Sequence, residues 1–73
     1  MRSIKLTPEQ RVKRAAKKFI LLNERARLII DQIDKIGENL YQVMGTGVVE
    51  MGVSFLVVLN VTLYQKDSRV EII

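Results

Sequence analysis

The chain has 73 residues, with twelve Lys or Arg against eight Asp or Glu for a net charge of +4, and it contains neither cysteine nor histidine. A chain of that length buries only about 60% of the surface its unfolded form exposes. With no disulfide and no zinc site available, self-association is the remaining way to enlarge the core, so a homo-oligomer, a dimer or larger, is expected. The same absences remove the usual general base, the thiolate nucleophile and most metal ligands, so residues 1–73 read as one non-enzymatic domain without a cofactor.

Charge is unevenly placed. Residues 1–37 hold ten cations and four acids (+6), residues 38–73 hold two and four (−2), and the two sum to +4. The N-terminal stretch MRSIKLTPEQRVKR is basic but has no uninterrupted apolar run behind it, so no secretory signal is expected. A chain without cysteine fits a cytoplasmic setting.

A helix is expected to start at LTPEQR. Thr7 is a good N-cap, Pro8 occupies the first helical position where its missing N–H costs nothing, and Glu9 favours the positive end of the dipole. Val12, Ala15, Phe19, Leu22, Ala26, Ile29, Ile33 and Ile36 then recur at alternating three- and four-residue spacing. That pattern draws one apolar stripe, widened by Ala16, Ile20 and Ile30, and predicts a helix over about 8–36 closed by Gly37. A break at Asn23, giving two shorter helices, is the alternative.

In VVEMGVSFLVVLNVTLYQ every odd position from Val49 to Leu63 is apolar, while among the even positions only Leu56 and Val58 are aliphatic. A period of two is the signature of a strand with one buried face. Gly45-Thr46-Gly47 is a plausible hairpin loop, setting Val43 opposite Val49 and Gln42 opposite Glu50. A turn centred on Asp67-Ser68 sets Leu63 opposite Ile72 and Tyr64 opposite Glu71. The expected fold class is therefore α+β: the long helix, then an antiparallel β-meander over about 40–44, 48–65 and 69–73. The competing reading is all-α, with 43–64 as a hydrophobic C-terminal helix that spans a membrane, although Glu50 would cost about 2.5–3.5 kcal/mol held deep in the bilayer.

The middle strand outruns both hairpin partners. Residues 54–60 are expected to leave backbone groups unpaired, and an uncovered apolar edge invites another chain. Phe55, Leu56, Val57, Val58 and Leu59 are the expected oligomer interface.

The cluster RVKRAAKK, residues 11–18, holds five cations in eight positions. On a helix Arg11, Arg14, Lys18 and Arg25 fall on one side beside Lys17, with Lys13 and Arg27 on the opposite flank. A merely solvated face is the bland alternative, but only Glu9 and Glu24 lie nearby to neutralise these groups. A phosphate backbone is the commonest partner of such a surface. Arg11, Lys13, Arg14, Lys17, Lys18 and Arg25 are therefore the expected contacts to DNA or RNA. No aromatic side chain is interleaved with them, so base stacking is not expected. Attraction to an anionic membrane surface is a weaker reading. A self-assembling subunit of a virion, filament or complex, and a single-span membrane protein with a basic cytosolic helix, complete the alternatives.

Asp31 and Asp34 would form an i, i+3 pair on the long helix, close to Arg27 and Lys35, and are read as solvated charges. GTG lacks the spacing and the lysine of a phosphate loop. The short segment RSIKL, residues 2–6, followed by TPEQ resembles in outline the ribbon-helix-helix repressors over about the first 40 residues, which would imply paired strands in the DNA major groove. That family's glycine-containing turn between two helices is missing here. Strand, helix and two long strands ending in FLVVLNVTLY are similar in order to the small flavin-binding dodecins, but the tryptophan that stacks on flavin there has no counterpart.

Overall fold

The computed structural model describes residues 6–73; the strand expected in RSIKL lies almost wholly outside them. Thr7 caps the helix α1, Pro8–Glu24, through a reciprocal capping box. The Gln10 amide donates to Thr7 Oγ1 at 3.2 Å, and the Thr7 amide donates to Gln10 Oε1 at 3.0 Å, so two otherwise orphaned N–H groups are satisfied.

The helix ends at Glu24 and does not continue to residue 36. Arg25 turns left-handed, at φ 52° and ψ 38°, and the Asn23 side-chain amide bonds back to the Phe19 carbonyl at 2.8 Å. The chain then extends as β1, Arg27–Lys35, so neither the single long helix nor a pair of helices forms. Leu28 and Ile30 face the helix, a bulge at Asp31 inserts one residue between Ile30 and Gln32, and Ile33 faces the helix again opposite Val43. That extra residue turns a spacing of two into three. Ala26, Ile30 and Ile33 consequently imitate a helical repeat while lying on an extended chain. Asp31 and Asp34 are strand residues, and the Gln32 amide donates to Asp34 Oδ2 at 2.6 Å.

Three further strands follow: β2, Leu40–Val48; β3, Ser54–Leu63; and β4, Ser68–Ile72. They form one antiparallel sheet in the order β1-β2-β3-β4. The α+β meander holds, with four strands where three were expected and with other turns. Gly45-Thr46-Gly47 is not a loop but runs inside β2. The reversal lies at Val49–Val53, where the Val49 amide bonds to the Val53 carbonyl at 3.0 Å and Gly52, at φ +84°, supplies the left-handed residue. Val43 accordingly pairs with Leu59 rather than Val49, and Gln42 with Asn60 rather than Glu50. The last turn closes between Tyr64 and Asp67, so Leu63 pairs with Ser68 and Ile72 with Leu59.

Residues 43–64 thus form two strands and a turn, which overturns the all-α reading. Among the described residues no helix is long and apolar enough to cross a membrane.

Val12, Ala16 and Ile20 from α1 pack on Leu28, Val43, Val57, Leu59, Val61 and Leu63 from the sheet. From Val57 to Leu63 the odd positions of β3 are buried and Phe55 is half-buried, as the period of two predicts, whereas Met51 and Val53 of the same apolar row lie in the turn and are exposed. Leu22, assigned to the stripe by its spacing, is instead 68% exposed. One helix covers one face, and the other face of the sheet has no second layer among the described residues.

Candidate nucleic-acid interface

The cations of α1 stand on the outer layer because its inner side is occupied by Val12, Ala16 and Ile20. Lys13, Arg14, Lys17 and Lys18 are exposed. Lys13 Nζ lies 3.6 Å from Glu9 Oε1, a surface pair open to solvent and therefore a weak competitor for an anion. Among the described residues no carboxylate lies within salt-bridge distance of Arg14, Lys17 or Lys18.

Two shallow grooves flank the helix. On the β4 side Arg11, Arg14 and Lys18 meet Lys66, with Asp67 as the acid among them. On the β1 side Lys13 and Lys17 meet Arg27 over a floor of Leu28 and Ile30. Arg27 was expected on the flank of Lys13 as part of one long helix; it does lie beside Lys13, but from β1, because the chain reverses after Arg25 and runs back beside α1. Lys17 belongs with Lys13 rather than with Lys18. Lys66 was not anticipated, since its approach depends on where the β3–β4 turn lands and no local pattern in the sequence encodes that.

Two of the expected contacts have other surroundings. Arg11 is half-buried and its Nη2 donates to the Tyr64 carbonyl at 2.6 Å and the Asp67 carbonyl at 3.1 Å. It clamps the first turns of the helix to the β3–β4 turn, and part of its donor capacity is committed there. Arg25 is not on the helix face at all; it is the exposed left-handed residue that ends α1.

Two acids lie on the far side of the sheet, one of them, Glu71, 3.5 Å from Arg69. Asp34, Gln42, Asn60 and Glu71 form one cross-strand row, and that row lies on the face opposite the helix, because the neighbouring Val43, Leu59 and Val61 point inward. Five cations and two acids on α1 give the helix layer +3 from residues 8–24, while a row with two carboxylates crosses the other side.

The residues expected at an oligomer interface divide between the two faces. Val57 and Leu59 are buried beneath the helix and Phe55 packs at its margin, whereas Leu56 is 76% exposed and Val58 partly so on the open face. β2 pairs with β3 from Ser54 to Thr62, but β4 pairs only with Leu59–Leu63. The uncovered edge is therefore shorter than residues 54–60.

No group of three or more metal-capable side chains occurs among the described residues. No protein-family model, no curated protein and no solved structure matches the chain.

Proposed function

We propose that this chain binds nucleic acid without catalysis, meeting the phosphate backbone with the outer side of α1. The observation that carries the reading is the exposure of Arg14, Lys17 and Lys18 with no carboxylate partner among the described residues, flanked by Lys13 and Arg27 on one side and Lys66 on the other. A nucleic acid carries condensed counterions along its phosphates, and cations that have no carboxylate partner to give up displace those counterions into bulk solution on binding. Contacts of this kind position a protein on a strand but discriminate little between sequences.

An anionic lipid surface is the rival class. A peripheral helix inserts its apolar side between head groups, but the apolar side of α1 is already buried against the sheet. Only Leu21 and Leu22 are left outside, at its C-terminal end.

Fluorescence anisotropy with labelled duplex DNA and RNA tests the reading. Log affinity falls linearly with log salt, and Lys17→Glu with Lys18→Glu removes at least two phosphate contacts. At ~0.1 M salt that weakens binding roughly 60-fold and flattens the salt slope by about 1.8. Arg69→Glu, on the opposite face, leaves affinity within about twofold. Undiminished binding by the Lys17, Lys18 variant overturns the proposal, as does binding to anionic vesicles with none to either duplex.

A further inference from the structure

The edges of the sheet are not equally defended. β1 ends the sheet with Arg27, Asp31 and Lys35 along its length and a bulge in its middle. β4 carries Arg69 and Glu71. Charges and bulges are the ordinary means by which an exposed strand avoids pairing with another chain. A third edge has neither. β3 begins at Ser54, while β4 reaches back only to Leu59, with one further bond from the Ile73 amide to the Val58 carbonyl at 3.2 Å.

That bond fixes the direction of the free groups. Because the Val58 carbonyl points toward β4, alternation along the strand points the N–H and C=O of Leu56 and Ser54 to the same side, beyond the end of β4. No backbone group from a turn or loop bonds to them among the described residues. The walls of the gap are Ile20, Phe55, Val57, Ile72 and Ile73, with Glu24 at its rim. Peptide groups in such apolar surroundings gain from a partner.

We propose that a second copy of this chain fills this gap, pairing antiparallel through Ser54–Leu56 across a two-fold axis that sets Phe55 against its counterpart. Ser54 of each copy then exchanges both backbone hydrogen bonds with Leu56 of the other, making four in all. The gap chooses its occupant by length. It is about 10 Å long at ~3.4 Å per residue, and Ile73 blocks any strand that continues past it. The second copy brings a free stretch of matching length, already extended and bounded in the same way. Charge within the ladder agrees, since Met51–Leu63 contains no ionisable side chain, so the paired strands themselves set no like charges against each other.

The symmetry has a consequence for the helices. A two-fold axis perpendicular to the sheet keeps both copies of α1 on the same side, so the dimer carries an eight-stranded sheet with two basic helices on one face. The pairing itself does not depend on nucleic-acid binding and is measured without it.

Sedimentation equilibrium of the full chain in plain buffer, from about 1 to 300 µM, tests the proposal. The expected result is a monomer–dimer equilibrium that stops at the dimer, with a dissociation constant on the order of 10 µM for so small an interface. Leu56→Pro removes an N–H that β2 does not use and puts the ring in the gap, so the internal ladder survives and dimerisation is lost. Leu56→Lys, at a position already exposed, sets two ammonium groups diagonally across the axis and weakens the dimer at least tenfold. Should the proline variant fail to fold by circular dichroism, the lysine variant decides. A native monomer at 300 µM overturns the proposal, as does growth past a dimer or a lysine variant that dimerises like the native chain.

Discussion

The ring of Phe55 lies on Gly47, its partner across the β2–β3 ladder, with Cζ 2.5 Å from where a Cβ on Gly47 would stand. A glycine inside a strand weakens it by leaving a hole in the pleated surface, and an aromatic ring laid across from the next strand fills that hole. Gly47→Ala therefore forces the ring off its site, at a cost of about 1–3 kcal/mol, or roughly 4–24 °C in melting temperature for a domain of this size. Thermal denaturation checks it. Phe55→Leu in the same chain recovers most of the loss, and a double-mutant cycle that shows the two changes to be additive contradicts the contact.

Arg11 holds the β3–β4 turn against the helix by two bonds from one nitrogen. Hydrogen bonds from a charged donor contribute about 1.5–3 kcal/mol when buried, and the partial exposure of this one reduces that to about 1 kcal/mol. Arg11→Met keeps the aliphatic stem and loses the bonds. The expected result is a modest drop in stability together with faster amide exchange in residues 68–72, since among the described residues β4 pairs with β3 alone. Unchanged exchange there means the clamp does not secure the turn.

The parts of this molecule that the sequence made legible are those with local causes. The start of the helix was readable from Thr7, Pro8 and Glu9, and the buried row of β3 from the alternation between Phe55 and Leu63. Positive charge on the outer helix was readable because residues 11–18 are basic whatever the helix packs against. What misled was coincidence between periods. The bulge at Asp31 made Ala26, Ile30 and Ile33 look helical, and Gly45 and Gly47 looked like a loop although a ring and a neighbouring backbone fill the space beside them. The role of Arg11 and the position of Lys66 depend on which turn ends beside the helix, and that is settled only by the tertiary fold.

Gly52 is the glycine that makes the hairpin, and nothing lies within 4 Å of a Cβ built on it. Its cost of substitution is therefore purely conformational. Gly52→Ala loses about 1–2 kcal/mol by forcing a side chain into the left-handed region, and Gly52→Asn loses less, because asparagine tolerates that region better. Chemical denaturation that ranks the three as Gly, Asn, Ala in falling order of stability supports the turn. Equal stabilities contradict the positive φ.

The bulge in β1 yields the sharpest test of the register. Ile30 pairs with Gly45, Gln32 with Met44 and Ile33 with Val43, so Asp31 is the one residue in that stretch without a partner on β2. Deleting it leaves Ile30 and Ile33 facing the helix and Gln32 facing away, because the remaining residues then alternate without interruption. The deletion variant should fold, with stability within about 1 kcal/mol of the parent. Deleting Asn60 from β3 instead shifts Val61 and Leu63, or else Val57 and Leu59, onto the open face, and the chain should not fold. Losing the bulge and its carboxylate also flattens the outer strand, so the Asp31 deletion should aggregate more readily at high concentration. Circular dichroism and light scattering on the two deletions check both outcomes, and an unfolded Asp31 deletion would contradict the assigned register.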